Sequence, residues 1–231
     1  LWYLTEYILK ERPHGFLGAI VWGNRSIGKS VYAIKVARQL YLLDGYSEEE
    51  SWQKAIDSCV FLLDDLIKVV RQHDYKNKTP IIIWDDAGFH GSGMLYHVHM
   101  AQAMLLKGIA DTIRSSTQSL ILTTPSIKGL MGFLTDYGDY EIKITKTQAW
   151  GREANIVRER LEPWGKRRRI NKGTDGFSAY MPNKWYHEYM TQRNKYKDII
   201  MKEIEKWEIK RMKKKSTGQT YKPIPQYGST L

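Results

Sequence analysis

The sequence predicts an α/β protein: a mainly parallel five-stranded sheet covered by helices, followed by a β-hairpin and a basic helical C-terminal extension. Three observations carry this reading. Short apolar, β-branched runs alternate with stretches of helical periodicity up to about residue 147, the pattern of strands joined by helical crossovers. A glycine-bearing segment, 23–30, lies between the first such run and the helical stretch after it. The charge also divides unevenly: residues 1–150 hold 16 Lys/Arg against 16 Asp/Glu, and residues 151–231 hold 20 against 9, so the whole net charge of +11 is C-terminal.

Leu1 to Lys10 reads as a short helix stopped near Pro13, and Phe16 to Trp22 as a buried strand ending at glycine. Ser30 to Leu43 spaces Val31, Ile34, Val36, Ala37 and Leu40 as a helix does, with Asp44-Gly45 as its stop. Ser47 followed by three glutamates opens a third helix, to Ile56, because carboxylates favour the positive end of the helix dipole. Strands are expected over Cys59 to Leu63, Pro80 to Trp84, Ser119 to Thr123 and Tyr140 to Thr147. Helices are expected from Asp64 or Asp65 to Gln72, over Met94 to Ile113 and over Lys128 to Leu134. Asn155 to Leu161 alternates and follows Gly151, which predicts a hairpin; Lys166 to Arg169 fall in a turn, and Pro182 starts a helix reaching about Lys215. The expected division is a core over 1–150 and a basic hairpin and helical extension over 151–231, packed on the core or standing apart.

Cys59 is the single cysteine, so no disulfide framework exists; its apolar surroundings make it a small buried hydrophobe of a reduced, intracellular protein. No apolar run approaches the roughly 20 residues that span a bilayer, and nothing reads as a signal peptide. The expectation is a cytoplasmic protein without membrane insertion.

Gly23-Asn24-Arg25-Ser26-Ile27-Gly28-Lys29-Ser30 matches the Walker A pattern G-x-x-x-x-G-K-[ST] in the strand-to-helix context that the motif requires. Its glycines let successive N–H groups turn toward phosphates, and the following helix adds the positive end of its dipole. Lys29 would hold the β- and γ-phosphates of ATP, and Ser30 would place its hydroxyl on Mg²⁺. Magnesium also needs a carboxylate at the end of a nearby strand, and two runs have that form: Ile81 to Asp86 and Val60 to Asp65. Asp85 is preferred, because Asp64 precedes a helical pattern that its carboxylate would cap. Asp86, one residue on, could polarise the attacking water. Thr123 or Thr124, ending a strand placed between the two phosphate-site strands, could hold that water or sense the γ-phosphate. Arg114, closing the long helix, is either an arginine finger offered to a neighbouring subunit or a cation at the negative end of that helix. His90, His97 and His99 do not form a metal set, since no Cys or carboxylate completes them at suitable spacing.

The succession of Walker A, the strand ending Asp85-Asp86, a long helix and the strand ending Thr123-Thr124 resembles the ASCE division of P-loop ATPases, which contains AAA+, RecA-like and FtsK/HerA-like motors. The stretch from Ile113 and Arg114 through Gln118 to Pro125 resembles the sensor-1 region of DnaA/DnaC-like proteins, and with the small size it looks like the DnaA-like ATPases of archaeal fuselloviruses and plasmids. The resemblance spans about residues 15–147. It implies an ATP- and Mg²⁺-dependent ATPase acting on DNA in replication or its regulation, in the host cytoplasm if viral, and assembling as a homo-oligomer, with a hexamer as the candidate assembly. The segment from Leu130 to Asp139 has no arginine, where AAA+ proteins usually place a finger. That favours the rival resemblance, a FtsK/HerA-like translocase for packaging or conjugation, in which Arg114 would suit the finger role. A nucleotide-dependent assembly switch with little turnover is the third reading.

Lys166, Arg167, Arg168 and Arg169, beside Trp164, form the candidate nucleic-acid contact: such cations bind phosphates and add affinity without sequence information. In the last helix Trp185, Tyr186, Tyr189, Tyr196, Ile199, Ile200, Ile204 and Trp207 recur at helical spacing, which predicts packing on the core or on another subunit, with Arg211 to Lys215 exposed.

Overall fold

A computed structural model describes residues 1–87, 100–136, 139–147, 151–161 and 167–216. In chain order the elements are α1 (Tyr3–Glu11), β1 (Leu17–Trp22), α2 (Lys29–Leu43), α3 (Glu48–Asp57), β2 (Cys59–Val60), α4 (Leu63–Gln72) and β3 (Ile82–Trp84). There follow α5 (Met100–Ile113), β4 (Ser119–Thr124), a 3₁₀ turn (Ile127–Gly129), α6 (Gly132–Asp136), β5 (Tyr140–Lys146), β6 (Arg152–Leu161), β7 (Arg167–Phe177) and α7 (Asn183–Ser216). Residues 94–99 of the expected long helix, and with them His97 and His99, lie outside the described residues, as does His90.

The strands form one seven-stranded sheet in the order β2-β3-β4-β1-β5-β6-β7. The first five are parallel and β6 and β7 are antiparallel, so the sheet is mostly parallel, with helices covering it. Placement of β4 between β1 and β3 brings the C-terminal ends of all three to one edge, where Trp22 pairs with Thr124 and Trp84 with Leu122. β1 is buried along Leu17–Val21, as an interior parallel strand covered on both faces must be. One face of the sheet packs Trp84, Leu120 and Leu122 against Leu66 of α4, Ile109 and Ile113 of α5 and Leu134 of α6.

Several expectations change in detail. The hairpin does not follow a five-stranded sheet; β6 pairs along the whole of β5, from Tyr140 opposite Arg158 to Lys146 opposite Arg152, and extends it. The strands on either side of the boundary expected at residue 150, β5 and β6, belong to one sheet, and the chain divides into the units Leu1–Tyr189 and Met190–Leu231. Arg167 to Arg169 are not in a turn but open β7, with Arg169 opposite Glu159. The α4 helix begins at Leu63 with Leu62 as an N-cap that makes no side-chain bond, so Asp64 and Asp65 do not cap it. They lie in its first turn, where carboxylates favour the dipole without closing the helix. The short helix expected over Lys128 to Leu134 is a 3₁₀ turn and a separate helix, broken at Leu130 and Met131, which are both buried. By contrast, Ser47 caps α3 as a full capping box with Glu50.

Within Leu1–Tyr189, the start of α7 buries Trp185 and Tyr189. The unit Met190–Leu231 is described as the continuation of that helix to Ser216; Tyr196 is buried, whereas Ile199, Met201 and Ile209 are exposed. Among the described residues no helix is long and apolar enough to cross a membrane.

Candidate functional site

The segment 23–30 joins the end of β1 to the start of α2, and its shape depends on two glycines. Gly23 has φ +145° and Gly28 φ +100°, a region that disfavours side chains; a Cβ on Gly23 would lie 2.9 Å from the Ile144 carbonyl oxygen and one on Gly28 3.2 Å from the Ala179 methyl. Ser26 also has a positive φ, of 58°. Asn24, Arg25 and Ser26 are exposed at the rim, while Ile27 is buried and anchors the loop. Lys29 curls back over the loop, its Nζ donating to the carbonyls of Gly23 at 3.0 Å and Asn24 at 2.9 Å. It is the first residue of α2, so the positive end of that helix points the same way.

Asp85 follows β3 and is fully buried. Its Oδ1 accepts the hydroxyl hydrogens of Ser30 at 2.7 Å and Thr123 at 2.5 Å, and its Oδ2 accepts that of Tyr189. Three hydroxyl donors supply the hydrogen bonds that a buried carboxylate requires. Thr123 also accepts the backbone N–H of Asp86 at 2.9 Å, so one side chain fixes both aspartates. Asp86 itself has φ +52°, uncommon for a residue with a side chain and least costly for Asp or Asn. Such a conformation held in place points toward a working position.

The two threonines separate by strand alternation. Thr123 faces the aspartates, whereas the Thr124 hydroxyl is used locally, donating to the Ser126 carbonyl at 3.0 Å and accepting the Ser126 N–H at 3.3 Å. Asp64 lies elsewhere, exposed on α4. Cys59 is buried near this edge, and burial, then the negative charges of Asp85 and Asp57, pushes its thiol pKa well up, which leaves it inert.

Arg114 is not at this edge. It is exposed, lining a cleft of about 620 Å³ with Phe16, Ser115 and Asp139, which precede β1, β4 and β5. The length of β4 separates that cleft from Gly23–Ser30, roughly 15–20 Å, so Arg114 cannot reach the loop of its own chain. In the basic cluster, Arg168 and Arg169 are exposed and point to opposite faces of β7, and Arg169 pairs with Glu141 and, at 3.7 Å, with Glu159. Arg168 and Arg169 are therefore split between faces of a strand rather than gathered at a tip; Lys166 lies outside the described residues.

Two residues escaped the sequence reading. Tyr189 carried only the signal of helical aromatic spacing. Arg152, at the start of β6, donates from Nε to the Ile27 carbonyl at 3.1 Å and braces the glycine loop; its one sequence signal is a cation at the mouth of a hairpin.

The donor set fits a magnesium nucleotide. Ser30 and Asp85 present hard oxygens together, and no group of three His, Cys, Asp or Glu suitable for a metal exists among the described residues. A pair of protein oxygens completed by phosphate and water is how Mg²⁺ is commonly held. The Lys29 ammonium, resting on two carbonyl oxygens, is placed where phosphate oxygens could replace them.

No family model matches the chain. It is 27% identical over 221 residues, covering 89% of this chain and 84% of the relative, to the uncharacterized protein B-251 of Sulfolobus spindle-shape virus 1. It is 29% identical over 167 residues to the uncharacterized protein ORF286 of Acidianus two-tailed virus; this match covers 70% of the chain and about half, 55%, of that relative.

Proposed function

We propose that the protein is a P-loop ATPase of the ASCE type that acts on DNA. The observation that carries the reading is the 2.7 Å contact between Ser30, at the start of the helix after the glycine loop, and Asp85, at the end of β3. Two segments that match phosphate- and magnesium-binding motifs meet there, with the intervening strand β4 supplying Thr123. In this reading the loop N–H groups and Lys29 bind the β- and γ-phosphates of ATP, and Ser30 and Asp85 hold Mg²⁺, which when bound neutralises charge on the phosphates. Asp86 orients the attacking water, and Thr123 sets its backbone. Similarity to two viral proteins supports a viral setting; the DnaA-like reading, and with it a location in the host cytoplasm, rests on the succession of motifs in the sequence.

The DNA partner rests on the C-terminal charge excess and on exposed Arg168. Homo-oligomerisation, up to a hexamer, rests on the reading of Arg114 as an arginine finger: exposed and far from its own loop, it would act on a neighbour's site. That placement also keeps the FtsK/HerA-like translocase as the second reading. ATP hydrolysis measured with and without single- and double-stranded DNA tests the proposal, with Lys29→Ala as the control. Hydrolysis stimulated by DNA and lost in Lys29→Ala supports it; equal nucleotide binding and turnover by a folded Lys29→Ala protein would sink it. Directional movement on duplex DNA selects the translocase, and binding with negligible turnover selects the assembly switch.

A further inference from the structure

Asp85 is held from two sides by parts of the chain far apart in sequence. Its Oδ1 faces Ser30 and Thr123, and its Oδ2 takes the phenolic hydrogen of Tyr189, 104 residues away. Tyr189 stands in the second turn of α7, one turn after Trp185, and both rings are buried on the same helix face. The start of α7 is tied to α3 by Lys184 on Glu49 at 3.1 Å and by Gln53 on Glu188. The Tyr189 ring packs against Phe61, with centroids 6.1 Å apart. Its position is therefore set by packing, and the hydroxyl is delivered to the carboxylate by a ring that cannot swing away freely.

We propose that Tyr189 is a positioning residue for the magnesium carboxylate. This rests on the reading of Ser30 and Asp85 as the magnesium pair. Rotation of an aspartate carboxyl about its last bond is soft and nearly two-fold, so one anchored oxygen does not fix the plane. The Tyr189 bond on Oδ2 supplies the second anchor and keeps Oδ1 turned toward Ser30. Groups that orient a ligating carboxylate govern metal affinity without touching the metal. Phe in place of Tyr keeps the ring and its packing and removes only this bond.

The test is Mg²⁺ titration of fluorescent ADP binding to the full chain, run on wild type, Tyr189→Phe, Asp85→Asn and the double variant, each also measured in EDTA. Tyr189→Phe should raise the Mg²⁺ concentration for half-maximal binding by about tenfold and leave binding in EDTA unchanged. In the Asp85→Asn background the same change should add nothing, because the two act through one carboxylate. Unchanged Mg²⁺ dependence in Tyr189→Phe, or an equal shift in both backgrounds, overturns the positioning role and leaves the magnesium reading standing. Wild-type binding that ignores Mg²⁺ overturns both. A melting temperature recorded in EDTA detects any loss of folding, and if Tyr189→Phe is unfolded, Phe61→Leu, which loosens the ring but spares the hydroxyl, must reproduce a weaker Mg²⁺ dependence or the proposal falls.

Discussion

Asp175 on β7 accepts the hydroxyl hydrogen of Tyr32 on α2 at 2.7 Å, both residues being buried. The same carboxylate accepts the backbone N–H groups of Tyr3 at 2.7 Å and Leu4 at 3.4 Å, at the start of α1. Trp2, the N-cap of that helix, offers no side-chain bond, so Asp175 caps α1 from across the fold. Burial, then the charge of Asp175 and its hydrogen bond, pushes the Tyr32 hydroxyl pKa well up and keeps it a donor. The last strand, the first helix and the helix of the glycine loop are thereby joined at one atom group.

Asp175→Ala should accordingly destabilise the fold by about 2–4 kcal/mol, since it strands a buried hydroxyl and two helix N–H groups at once. Tyr32→Phe should cost less, near 1 kcal/mol, because Asp175 keeps its backbone donors. Urea denaturation of the two variants measures this. An Asp175→Ala protein within 0.5 kcal/mol or so of wild type would show that the bonds carry little net stability.

Asp85 and Asp64 end look-alike runs, but only Asp85 meets Ser30. Asp85→Asn should therefore weaken Mg²⁺-dependent nucleotide binding by tenfold or more, about 1.4 kcal/mol or above. Asp64→Asn should leave it unchanged and lower thermal stability slightly, through the lost favourable charge in the first turn of α4. Selective loss of Mg²⁺ dependence in Asp64→Asn would reverse the assignment.

Arg114 offers a test of assembly. Arg114→Ala should bind ATP almost normally and hydrolyse it slowly, because a finger acts on charge that develops in the transition state. Mixing it with Lys29→Ala subunits should restore part of the activity, one interface then combining an intact loop with an intact arginine. Co-assembly without rescue, followed by mass measurement, would leave Arg114 as a cation at the end of α5.

Asp139 yields a prediction in pH. Burial raises its carboxyl pKa above the ordinary 3.8, against the lowering effects of the Gly18 N–H it accepts and of Arg158. The folded state thus binds this proton more tightly than the unfolded one, so Asp139 costs stability as pH rises from about 3.8 through its raised value. Asp139→Asn retains an acceptor for Gly18 and should gain relative stability toward neutral pH, with the advantage vanishing below pH 4 or so. Denaturation of both proteins from pH 3.5 to 7 checks the sign, and a pH-independent difference would refute it.

The sequence by itself determined the order of elements in the parallel part, the glycine loop and the capping box at Ser47, because each depends on residues within a few positions of one another. Apolar runs, glycines with positive φ and a serine three residues before a glutamate are local signals. It also marked Asp85 and both threonines, but it could not separate Thr123 from Thr124, since which face of a strand meets which neighbour depends on strand order. Only the tertiary structure decided that β6 and β7 extend the sheet, that Arg167 to Arg169 lie on a strand, and that Arg152 and Tyr189 reach Ile27 and Asp85. The partners of those last bonds lie 125 and 104 residues apart, and no local periodicity encodes a contact at that separation. It exists because packing of the sheet and of the start of α7 brings the ends together, and polar groups withdrawn from water there gain by pairing with each other.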